Sequence, residues 1–194
     1  MSLSQLDRAE RFGVDEVLSL PASVWDKRIA VDLVAEMEIL LADQVATLPE
    51  MRRILAVKGY RKLRRGIERD VKDKVGVAAL RAMARSMRDF ALQHPGLSAA
   101  TFRSAATDSP DWRQALGELL DTAYRVLAQV GLQGEPAQQA LRMLRSLIRG
   151  FVLNQMAAPL LEPLDYAGSF ELAIDAYVLG LPAFHAPVDG TVTP

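Results

Sequence analysis

The sequence predicts an all-α protein, and three observations carry that expectation. Apolar residues recur at spacings of three and four along most of the 194 residues, the period of one face of an α-helix. Alternating β-branched runs, which would mark half-buried strands, are scarce. Prolines and glycines fall mainly between the periodic stretches, where they start and stop helices.

Taken in order, Pro21 and Pro49 bracket a first helical pattern carrying Val24, Trp25, Ile29, Leu33, Val34, Met37, Leu40 and Leu41, with a break expected near Ala35. A second helix starts near Pro49, a residue suited to a first turn, and carries Ile54, Val57, Tyr60, Leu63, Ile67 and Val71 as a stripe. Gly76 ends it or separates it from the next helix, 77–93, whose apolar face holds Leu80, Met83, Met87 and Phe90 while Arg81, Arg85 and Arg88 lie on another. His94-Pro95-Gly96 stops that helix, because proline lacks the amide hydrogen and its ring clashes with the preceding turn. A short helix is expected over 97–105. Ser109-Pro110-Asp111 then opens another that runs to Gly131, with a capping serine, a first-turn proline and an acid at the positive helix end. Glu135-Pro136 opens a helix through Gln155 that is apolar on more than one face and so wants burial on two sides. Ser169 is expected to cap a last helix, ended by Gly180 and Pro182, and the tail 183–194 to be disordered.

Half of the residues are hydrophobic, enough for a sizeable core in one domain or in a small head on a larger body. With no cysteine, the chain has no disulfide, thiolate nucleophile or cysteine metal site. The N-terminus lacks a signal-peptide pattern, and no apolar run reaches the roughly 18 residues of a membrane span. The expectation is a cytoplasmic protein without a membrane partner. A net charge of −1 excludes a uniformly basic nucleic-acid coat and leaves local patches.

One local feature is pronounced. Residues 1–51 hold four cations against ten anions, a net of −6, whereas residues 52–74 hold ten cations against three anions, a net of +7. Within the basic stretch, cations at 61, 62, 64, 65 and 69 read either as a surface for phosphate or as a solvated face paired with Glu68 and Asp70.

Four segments together carry a family resemblance. They are Ala79-Leu-Arg-Ala-Met-Ala-Arg, Phe90-Ala-Leu-Gln-His-Pro-Gly-Leu97, Leu144-Arg-Ser-Leu-Ile-Arg-Gly-Phe-Val152 and Ser169-Phe-Glu-Leu-Ala-Ile-Asp-Ala-Tyr-Val-Leu-Gly-Leu181. In order and spacing they resemble the C-terminal domain of TetR-type transcriptional regulators, over roughly residues 50–182. The resemblance implies a helical head at 1–50, a larger ligand and dimerisation domain at 51–182, and a homodimer closed by the helices near 136–156 and 169–181. It further implies double-stranded operator DNA and a small apolar or amphipathic ligand as partners.

The head departs from that pattern. A Leu-Tyr-x-His-Phe-like signature belongs near 41–45, where Ala42 and Gln44 replace the tyrosine and histidine, and no turn glycine lies between Asp32 and Glu38. Asp32, Glu36, Glu38 and Asp43 stand where small or basic residues would approach DNA, and carboxylates facing phosphate repel it. Two readings follow. In one, a diverged helix-turn-helix uses Lys27, Arg28, Arg52, Arg53 and Lys58 on phosphates and Gln44 on a base. In the other, the head has lost DNA recognition and the chain is a dimeric ligand-binding or protein-interaction module.

Enzyme chemistry finds little to work with. His94 and His185 are the only histidines, and spacing identifies no nucleophile or acid partner for either. Asp32, Glu36 and Asp43 read as a solvated acidic face, since no Glu-x-x-His completes a metal site, so no catalytic residue, metal or cofactor is expected. The ligand reading rests on Met87, Phe90, Phe102, Tyr124, Phe151 and Asn154, flexible or aromatic residues on helices that would enclose an apolar cavity. Asn154 would need a hydrogen-bond partner if buried there.

Overall fold

The computed structural model describes residues 27–43, 47–101, 109–156 and 165–185. They form α1 (Lys27–Ala42), α2 (Leu48–Val71), α3 (Gly76–Gln93), α4 (Pro95–Thr101), α5 (Pro110–Ala128), α6 (Gly134–Met156), α7 (Tyr166–Leu179) and a 3₁₀ turn (Leu181–His185). No strand occurs among the described residues. No described helix is long and apolar enough to cross a membrane.

Helix α2 organises the bundle. Met51, Leu55, Leu63 and Ile67 enter the main core, while Ala56, Val57 and Tyr60 meet Ala115 of α5 in a smaller cluster completed by Trp112 and Leu116. The sequence showed one stripe on α2, but the helix is wrapped by α3, α4 and α5. Its cations sit between those contacts. Arg64 pairs with Glu68 at 3.6 Å and with Glu118 of α5 at 3.4 Å, and Arg69 pairs with Asp70 at 2.7 Å.

Helix α1 runs without a break through Ala35, because Ile29, Leu33, Val34, Met37 and Leu40 form a continuous buried stripe. That stripe rests chiefly on α4. The crossing is close enough that a Cβ on Gly96 would lie 2.7 Å from the Leu33 amide nitrogen and 2.9 Å from its Cα. Gly59 plays the same part between α2 and α4, where a Cβ would lie 3.0 Å from the Leu97 carbonyl oxygen.

Several helix ends differ from the sequence reading. α4 begins at Pro95, directly after α3, because proline fits a first turn and the His94 carbonyl accepts from the Ser98 amide at 2.8 Å. Gly76, at φ 55°, opens α3 and donates its amide to Gln129 at 2.9 Å. Asp165, not Ser169, caps α7, accepting from the Gly168 amide at 2.9 Å. Ser109 holds the cap position of α5 but accepts no capping bond. The segment read as a disordered tail starts as the 3₁₀ turn, because Leu181 is buried and the Phe184 ring lies 6.4 Å from Tyr177. Residues 186–194 lie outside the described residues.

α6 and α7 meet around Tyr177, a buried tyrosine whose hydroxyl donates to the Ala140 carbonyl at 2.9 Å. The arginines of α3 reach across to α7. Arg85 forms two bonds with Glu171, at 2.7 and 2.6 Å, and Arg81 pairs with Asp175. Arg88 bonds Gln155 at 2.9 Å and stands 4.9 Å over the Phe170 ring.

Two glycines should respond oppositely to a methyl group. Gly96→Ala is expected to cost about 2 kcal/mol, since backbone atoms of α1 must move. Gly117→Ala, in open space on α5, is expected to gain about 0.7 kcal/mol by favouring the helix. Denaturant midpoints at unchanged slope check both.

Candidate functional site

Between α2, α3, α4, α5 and α6 lies a largely apolar cavity of about 50 Å³. α2 supplies Tyr60, Leu63 and Ile67; α3 supplies Met87 and Phe90; α5 supplies Leu116, Leu119, Leu120 and Ala123. Ser98 and Thr101 of α4 form one wall, and Leu141, Arg145 and Ile148 of α6 another. The polar groups at the α4 wall bond one another. The Tyr60 hydroxyl donates to the Thr101 carbonyl at 3.1 Å, and the Thr101 hydroxyl to the Ser98 carbonyl at 2.7 Å. Burial raises the Tyr60 pKa, partly offset by the nearby Arg145 charge, so the phenol remains a neutral donor.

The same short helix touches α1 from its other end. The Gly96 amide donates to Asp32 at 2.9 Å, and Glu36, one turn further on, pairs with Lys58 of α2. Asp32 thus occupies one of the amides that a helix start leaves unpaired. A wall of the cavity and the seat of α1 are therefore one helix of seven residues.

Residues 80–177 match the family described as tetracyclin repressor-like, C-terminal domain. The matched segment contains α4, α5, α6 and most of the cavity wall. The chain belongs to the TetR-like family. No curated protein matches it.

The cavity contains some of the residues singled out in the sequence, and the fold places others elsewhere. Met87 and Phe90 line the cavity. Tyr124 does not; partly buried against the core, it lines two open clefts on the α5–α6 side. Phe151 packs edge-on against Phe170, with ring centroids 5.6 Å apart, and so belongs to the α6–α7 contact. Asn154 is exposed on α6, which leaves its amide no need of a buried partner. Phe102 and Gln44 lie outside the described residues.

Of the cations assigned to DNA, Arg53 and Lys58 are engaged within the fold, and Arg52 has a partner as well. Arg53 pairs with Asp111 of α5 and, at 3.9 Å, with Glu50; Lys58 pairs with Glu36. Lys27 and Arg28 open α1, and Arg52 is half-buried on α2. The acidic face is likewise divided, since Asp32 and Glu36 turn toward α4 and α2 while Asp43 is exposed. Four carboxylates do not share one outward surface. Among the described residues, no three histidine, aspartate or glutamate side chains come together as a metal site would require.

The sequence reading missed Arg145, Tyr60 and the leucines of α5. Arg145 carried a usable signal, because it interrupts the stripe Leu141, Arg145, Ile148, Val152 at a position where helical period calls for an apolar residue. A cation at a core-facing position marks a site more sharply than another methionine does.

His94 closes α3 beside Asp32, Glu36 and Lys62, with its ring 5.8 Å from Phe90. Burial first, and Lys62 second, lower its pKa from the ordinary 6.5, against the opposing pull of Asp32 and Glu36. The folded chain then favours neutral imidazole, so this contribution to stability is full above pH 6.5 and is lost as pH falls through the lowered value. His94→Gln should therefore lose less Tm than the unsubstituted protein between pH 7.5 and 5.5.

Proposed function

We propose that this TetR-like protein is a ligand-responsive transcriptional regulator that binds operator DNA as a homodimer. The observation that carries the reading is the double duty of α4, which lines the cavity through Ser98 and Thr101 and seats α1 through Gly96. A small apolar or amphipathic molecule that enlarges the cavity displaces α4, and α1 moves with it. Such a ligand shifts the head between positions only by its differential affinity for them, as any allosteric effector must. Lys27, Arg28 and Arg52 are the phosphate contacts in this reading and Gln44 the base contact. Arg53 and Lys58 instead hold α2 to its neighbours.

The dimer is assigned to α6 and α7. Leu172 and Leu179 of α7 are 70% and 82% exposed, and Met143 of α6 is 51% exposed. Large apolar side chains left in water on two adjacent helices suit a two-fold helical interface. A second reading, a dimeric module without DNA recognition, is favoured by the engagement of Arg53 and Lys58 with carboxylates.

Two measurements test these assignments. Binding to DNA from the gene's own promoter region should be specific, with log affinity falling linearly with log salt, and Arg52→Gln should reduce that slope by about one. Binding no tighter than to unrelated DNA at low salt would leave the module as the function. For the dimer, Leu172→Glu with Leu179→Glu should convert the sedimenting species to a monomer of unchanged helical circular dichroism.

A further inference from the structure

Arg145 stands at a partition. Outside the apolar cavity lies an open cleft of about 350 Å³ lined by Tyr124, Gln138, Arg142, Ser146 and Arg149. Cavity and cleft share three side chains, Leu120, Leu141 and Arg145. On one side of that shared wall the surface is apolar, and on the other three guanidiniums lie along a single face of α6.

The three arginines differ in what they already hold. Arg142 donates to Gln139 at 2.8 Å, and Arg149 also has a partner. Arg145 is half-buried and makes no hydrogen bond or ion pair with another described residue; the group its charge acts on is the buried Tyr60 phenol. A guanidinium at the edge of an apolar cavity, with no described carboxylate against it, leaves its positive charge unneutralised. Charge of the missing sign is what would compensate it.

We infer that the ligand of this cavity is an amphipathic carboxylate, its apolar part among Leu63, Met87, Phe90 and Leu120 and its anionic head on Arg145 at the mouth of the arginine-lined cleft. The inference rests on the ligand-responsive reading above and adds the chemical class of the ligand. Planar guanidinium suits a carboxylate because two parallel N–H groups meet two oxygens. Arg142 and Arg149 add positive potential along the approach, which steers an anion to the cleft before its apolar part enters. The cavity's present volume sets a further requirement. At about 50 Å³ it lies well below the roughly 300 Å³ of a small-molecule site, so a ligand must part the α4 and α5 walls as it enters. That displacement is the one the regulatory reading needs.

Isothermal titration of the full chain with octanoate, 1-octanol and octylammonium tests the class, because the three share one tail and differ in head charge. Octanoate is expected to bind most tightly, octylammonium most weakly, and added salt to weaken octanoate alone. Arg145→Gln should bind octanoate about tenfold more weakly, the loss typical of a charged hydrogen-bond partner, while binding 1-octanol as before. Arg145→Lys should recover part of the affinity. Equal binding of octanoate and 1-octanol by the unsubstituted protein would overturn the carboxylate while leaving the cavity as an effector site. If none of the three bound, the cavity would fail as an effector site and the inference with it. Because the ranking is read on the unsubstituted protein, a poorly folding variant does not remove the test.

Discussion

Where α1 crosses α4, the two backbones approach until a methyl group on Gly96 would overlap the amide of Leu33. Several other features follow from that contact. Only at this separation can Asp32 reach the Gly96 amide, and only with α1 in this place do Leu33 and Met37 lie fully buried. On its opposite side α4 meets Gly59 of α2, again without room for a side chain. A seven-residue helix has almost no stability of its own in water. α4 is therefore shaped by what grips it, and a disturbance on one side has few routes except to the other.

Ion pairs arrange the rest of the bundle more than they stabilise it. Arg85 with Glu171 and Arg64 with Glu118 are partly exposed pairs of a kind worth about 0–1 kcal/mol each. Their value lies in direction. α3 presents Arg81, Arg85 and Arg88 on successive turns, and α7 answers with Asp175, Glu171 and the Phe170 ring, so one sliding position of α7 satisfies all three. The buried stripe of Phe170, Ile174 and Tyr177 supplies the attraction, and the charges select the register.

The helices were legible in the sequence because their signals are local. Pro110, Gly131 and the break at His94-Pro95 mark ends by chemistry that acts within one turn, and the apolar period fixes each inward face. The cap of α7 was misread because Ser169 and Asp165 both offer an oxygen, and only the fold shows which one meets a free amide. Partner choice was not legible. That Glu36 answers Lys58, and Asp111 answers Arg53, depends on helices meeting across 22 and 58 residues of chain, so a cluster of cations could be read as a DNA surface and a row of acids as a solvated face. The cavity shows the same limit. Met87 and Phe90 were identifiable as adaptable apolar residues, whereas Tyr124 and Phe151 have the same composition and point elsewhere.

A directional bond from Tyr177 adds to the contacts that set which way α7 faces. Tyr177 is held neutral by burial and donates inward to Ala140, while Leu172 and Leu179, seven residues apart, ride together on the far side of the same cylinder. Turning α7 by one residue, about 100°, would strand the hydroxyl among hydrocarbon and swing both leucines out of line. The hydroxyl works as an indexing pin, and the shape offered to any neighbouring molecule is decided on the side that no neighbour touches.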